Sequence, residues 1–126
     1  MKPHSRATAA TGIAAAAGSR RSRAAPASCP IGRLIADPEI AADDRLREPV
    51  RETFAVLHAC LASVIEEGKA SGEFDAGLDA GQAASALSAV IQGGYALARA
   101  EASAGPFDQA VQGALALLRM SMPASP

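Results

Sequence analysis

Gln92-Gly93-Gly94-Tyr95-Ala96-Leu97-Ala98-Arg99-Ala100-Glu101 sits inside a run that reads as helix from about Ala80 to Ala102. Two adjacent glycines stand at its centre, and each costs about 1 kcal/mol relative to alanine in a helix interior. A helix that keeps such a pair gains something from it, and close approach by another helix or a ligand is the usual gain. Upstream, Asp79 is placed to cap the helix, with Gln82 three residues on as in a capping box. Leu87, Val90, Ile91, Gly94, Tyr95 and Ala98 recur at helical spacing on one stripe. Ala86, Ala89, Gly93, Leu97 and Ala100 form a second, adjoining face of mostly small residues. A helix that is apolar on both faces is expected to be buried on two sides.

The flanking segments repeat the theme. On the N-terminal side Val50, Phe54, Leu57, Leu61, Val64, Ile65 and Gly68 make one apolar stripe, with Gly72 as the C-terminal stop. Phe74 and Leu78 are expected to pin the following loop to the core. Pro49 suits the first turn of this helix and would kink one begun at Asp43. On the C-terminal side Gly105-Pro106 opens a last helix. Phe107, Val111, Ala114, Leu115 and Leu118 share one of its faces, and Ala110, Gly113, Leu117 and Met120 a neighbouring one. Pro30 to Asp37 reads as a short helix stopped by Pro38, followed by an acidic connector through Asp43 and Asp44. The fold class is therefore all-α, a helical bundle of three main helices plus a short one.

Composition agrees with this reading. Hydrophobic residues make up 49% of the 126-residue chain, much of it alanine, while aromatics are 3% and Trp is absent. Such a balance disfavours sheets. No apolar run approaches the roughly 18 residues a membrane span needs, so no membrane partner is expected. Residues 1–28 hold five of the twelve basic residues and none of the thirteen acidic ones. The rest is acidic, a poor partner for a phosphate backbone. The Ala/Arg/Ser-rich residues 1–28 are expected to be a disordered extension, residues 29–122 the folded domain and residues 123–126 a disordered tail. Cys29 and Cys60 read as reduced thiols of a cytoplasmic protein. His58 and Cys60 point to different helix faces, so no metal site is expected. No catalytic set, phosphate loop or cofactor motif appears, so no enzymatic role is expected.

Three helices, two of them with doubled apolar faces, make a poor monomer. Pairing with a second copy in a symmetric bundle is the simplest way to cover the excess. Ala86, Ala89, Gly93, Leu97, Gly113, Leu117 and Met120 are the dimer-face candidates.

Four segments also carry a resemblance in their order and spacing. These are Cys29-Pro30-Ile31-Gly32, Asp43-Asp44-Arg45-Leu46-Arg47-Glu48-Pro49-Val50, Glu66-Glu67-Gly68-Lys69-Ala70-Ser71-Gly72-Glu73-Phe74 and Gln92-Gly93-Gly94-Tyr95-Ala96-Leu97-Ala98-Arg99-Ala100. Together they resemble the C-terminal half of tetracycline-repressor-type (TetR/AcrR) transcriptional regulators over roughly Cys29 to Met120. The resemblance implies an all-α effector-binding and dimerisation domain whose last two long helices pair with those of a second subunit. It implies a small apolar effector in a pocket between the long helices. The candidates are Phe54, Leu57, His58 and Leu61 on one helix and Leu87, Ile91, Gln92 and Tyr95 on the next, with Arg99 at the margin; Phe54, Leu57, Leu61, Leu87 and Ile91 read first as ordinary core. Residues 1–28 are too short and featureless for a three-helix DNA reader. The chain thus reads as a fragment or truncated form that contacts DNA only through a missing N-terminal domain. The alternatives are a stand-alone module that heterodimerises with intact regulators, or an unrelated small helical protein.

Overall fold

The structure is a computed structural model that describes residues 8–16 and 30–120. Within them the order is α1 (Ala9–Ala16), α2 (Pro30–Ile35), α3 (Pro38–Ala42), α4 (Asp44–Ala70), α5 (Ala80–Glu101) and α6 (Gly105–Met120), with no strand among the described residues. The three long helices, α4, α5 and α6, carry the fold; α5 lies between the other two, and α1, α2 and α3 pack on α4.

Local chemistry sets most of the boundaries. Asp43 caps α4 by accepting the Arg45 N–H at 2.9 Å, and Asp79 caps α5 by accepting the Gln82 N–H at 2.9 Å. The C-terminus of α4 closes on Gly72, whose φ of 79° is open to glycine at little cost. There the Glu73 N–H reaches the Gly68 carbonyl at 2.8 Å and the Gly72 N–H reaches the Lys69 carbonyl at 3.2 Å, the paired bonds of a Schellman closure. The same closure ends α5, but Ala102 takes the left-handed position at φ 49°. The acidic connector expected before α4 is partly helical: α3 forms because Asp37 caps it and Pro38 opens it. Likewise α4 starts at Asp44 and carries Pro49 inside it. The proline's missing donor leaves a carbonyl in an exposed first segment, where water can satisfy it.

Leu61 and Ile65 of α4, Leu87 and Ile91 of α5, and Phe107, Val111 and Leu115 of α6 build the core. Phe74 closes one end and is fully buried, as expected for the α4–α5 loop, and Leu78 packs against the cluster. Glycine lets two of these contacts form. A Cβ on Gly68 would meet the Phe74 ring at 2.5 Å, and one on Gly94 would meet Phe107 Cδ2 at 2.9 Å.

The expected disorder of residues 1–28 is corrected at residues 9–16. These form α1, and Ile13 on it is fully buried in the core. Gly12 packs so near Val64 that a Cβ there would come within 3.2 Å of Cγ1, while the Ala9 N–H donates to Glu73 Oε2 at 2.8 Å. Composition conceals this helix because Ile13 is its one large apolar residue, set among Ala, Thr and Gly. Alanine is the strongest helix former, and small side chains let the helix sit close against α4. Residues 1–7 and 17–28, Cys29 and residues 121–126, with the expected 123–126 tail, lie outside the described residues.

Candidate functional site

Helix α5 divides its circumference into three sectors. Leu87, Ile91, Gly94 and Ala98 point into the core. Gln92, Tyr95 and Arg99 follow at steps of three and four on a second sector and border a cleft. Ala86, Ala89, Gly93, Leu97 and Ala100 occupy the third, which is exposed. The stripe expected to join Tyr95 to the core is thus split, with Tyr95 half-buried at the boundary.

The cleft holds about 160 Å³ and is lined by Gly32, Arg33 and Ile35 from α2, Phe54 from α4, and Gln92, Tyr95 and Arg99 from α5. Tyr95 is held by ring contact with Phe107 of α6, the centroids 4.6 Å apart and the planes tilted by 40°. Phe54, Gln92 and Tyr95 of the expected pocket residues thus come together, with Arg99 beside them. Leu61, Leu87 and Ile91 do not line the cleft; they are 0%, 3% and 4% exposed and belong to the core. The physical reason is helical phase: these three point at the helix–helix seams and not at α2. Leu57 packs half-buried against the core, and His58 is turned away toward the start of α5. There its Nε2 lies 3.0 Å from the Gly81 carbonyl oxygen and 3.2 Å from Ser85 Oγ, tying α4 to α5.

The contribution of Gly32, Arg33 and Ile35 was absent from the sequence expectation. Helix α2 has six residues and no stripe long enough to indicate which neighbour it meets. The only available signal was that so short a helix cannot bury its apolar side alone.

A second surface covers α5 and α6. Ala86, Ala89, Gly93, Leu97, Gly113, Leu117 and Met120 are all exposed, Leu97 at 55%, Leu117 at 68% and Met120 at 78%. Among the described residues, a Cβ added to Gly93 or Gly113 would meet nothing within 4 Å. Packing among the described residues therefore requires neither glycine. Among the described residues no helix is long and apolar enough to cross a membrane, and no group of three His, Cys, Asp or Glu side chains is placed to hold a metal ion.

Three long helices, with a small cleft beside the central one and an exposed face of small residues on the last two, define a class: a helical domain built like the C-terminal domains of tetracycline repressors. Residues 9–114 match the family model for the tetracyclin repressor-like C-terminal domain, and the chain belongs to that family. The match starts at α1, upstream of the Cys29 boundary drawn from the sequence motifs. No curated protein and no solved structure matched the chain.

Proposed function

We propose that this chain supplies effector sensing and subunit pairing for a tetracycline-repressor-type transcriptional regulator, as a cytoplasmic homodimer without catalytic activity. Operator recognition, in this reading, belongs to a separate helix-turn-helix domain and not to residues 9–120. The observation that carries the pairing is the exposed face of Ala86, Ala89, Gly93 and Leu97 on α5, continued by Gly113 and Met120 on α6. Small residues on two adjacent helices allow two further helices to approach closely, so α5 and α6 of two copies would form a four-helix bundle. Charged side chains are absent from these six positions, and large aliphatic ones flank the glycines, as at the apolar centre of an interface. The sensing role rests on the cleft between α2, α4 and α5, which joins apolar walls to a few polar groups in the manner of a small-molecule site.

Sedimentation equilibrium of the full chain at micromolar concentration tests the pairing. The expected result is a dimer, converted to a monomer by Leu97→Glu with the helical circular dichroism retained. A wild-type chain that is monomeric at these concentrations, or a Leu97→Glu variant that still pairs, refutes this arrangement.

A further inference from the structure

The basic side chains of the described body are used unevenly. Arg45 pairs with Asp43, Arg47 with Asp44, Arg51 with Glu48, Lys69 with Glu66 and Arg119 with Glu73. Arg33 and Arg99 have no ion-pair partner among the described residues, although thirteen acidic residues are present in the chain. These two arginines line the same 160 Å³ cleft, and no carboxylate lines it. They come from different helices, α2 and α5, so helical periodicity did not bring them together. Two like charges at one concave site repel each other, and an anion between them removes that repulsion. On an otherwise acidic body, the cleft is a local positive site.

The remaining lining restricts the anion further. Phe54, Ile35 and Tyr95 supply apolar and aromatic wall, and Gln92 supplies an amide. At about 160 Å³ the cleft is well below the several hundred Å³ of sites for drug-sized ligands. Guanidinium groups are suited to carboxylates because their planar fork donates two parallel hydrogen bonds.

We propose that the cleft between α2, α4 and α5 binds a small carboxylate with a flat apolar body, its carboxylate between Arg33 and Arg99 and its body against Phe54 and Tyr95. The inference deepens the reading of this cleft as the effector site and rests on it. It also replaces a purely apolar effector by an anionic one.

The test is titration of the isotopically labelled full chain, followed by amide NMR, with benzoate, its uncharged counterpart benzamide, and inorganic phosphate. Benzoate is expected to produce saturable shifts at millimolar concentration, centred on Arg33, Phe54, Gln92, Tyr95 and Arg99. Its affinity should exceed that of benzamide by about tenfold and fall as salt is added. Arg33→Gln and Arg99→Gln are each expected to lower benzoate affinity by about tenfold, with benzamide unaffected. Both side chains are exposed, so the variants should fold, which circular dichroism checks. Equal affinity for benzoate and benzamide overturns the anionic assignment, and equal affinity for phosphate and benzoate overturns the apolar body. Absence of saturable cleft shifts with all three probes overturns the proposal. Sedimentation of the same samples keeps the two readings apart. A dimer that binds no benzoate counts against the ligand class alone, and a monomer that binds it counts against the pairing alone.

Discussion

Exchanging the two adjacent glycines of α5 for alanine, one at a time, should move stability in opposite directions. Each substitution gains about 1 kcal/mol from helix propensity and lost unfolded-chain freedom. At Gly93 the new Cβ meets nothing within 4 Å among the described residues, so the gain stands. At Gly94 it would lie 2.9 Å from Phe107 Cδ2 and 3.5 Å from Phe107 Cα. Phe107 is 6% exposed and its ring is packed on Tyr95, so it has little room to withdraw. Overpacking of this kind costs about 1–3 kcal/mol, which offsets or exceeds the propensity gain. The expected outcome is Gly93→Ala more stable than wild type by about 1 kcal/mol and Gly94→Ala less stable by about 1 kcal/mol. Urea unfolding should be measured in the Leu97→Glu background, so that pairing does not contribute. With Leu97 restored, Gly93→Ala should weaken the dimer, because the added methyl stands where the second copy approaches. A Gly94→Ala variant as stable as Gly93→Ala would refute the assignment of the two glycines to opposite faces.

Other substitutions address single features. Ala102→Gly should raise stability by about 1 kcal/mol, seen as a higher urea midpoint, because the residue that ends α5 holds φ at 49° and glycine does so without strain. Glu73→Ala should cost about 1–2 kcal/mol. Glu73 accepts the Ala9 N–H at 2.8 Å and meets Arg119 Nη2 at 3.3 Å, so hydrogen exchange should lose protection first in α1 and at the end of α6. Retained protection at α1 in that variant would show that Ile13 and Gly12 hold the helix by themselves.

Much of this architecture was legible in the chain because long amphipathic helices advertise their phase. The α6 face of Phe107, Val111 and Leu115 and the α4 stripe through Leu61, Ile65 and Gly68 were readable from spacing, and the Asp79 cap and Gly72 stop from residue type. Residues that bury by smallness were harder to read. Ala9 and Gly12 of α1 carry almost no hydrophobic signal, yet they seat a helix against α4. The candidate site was legible by halves: Phe54, Gln92, Tyr95 and Arg99 were in view, whereas Leu61, Leu87 and Ile91 could not be separated from them by hydrophobicity alone. Helical phase tells which residues share a face but not which neighbour that face meets.

Residue type and spacing determined that this chain is helical, where its long helices run and which positions are apolar, since these follow from backbone preferences acting over a few residues. Tertiary structure decided the rest, because it depends on contacts between segments far apart in the chain. Gly94 is spent on Phe107 while Gly93 is left facing outward, and Arg33 of a six-residue helix is brought to Arg99 across one cleft.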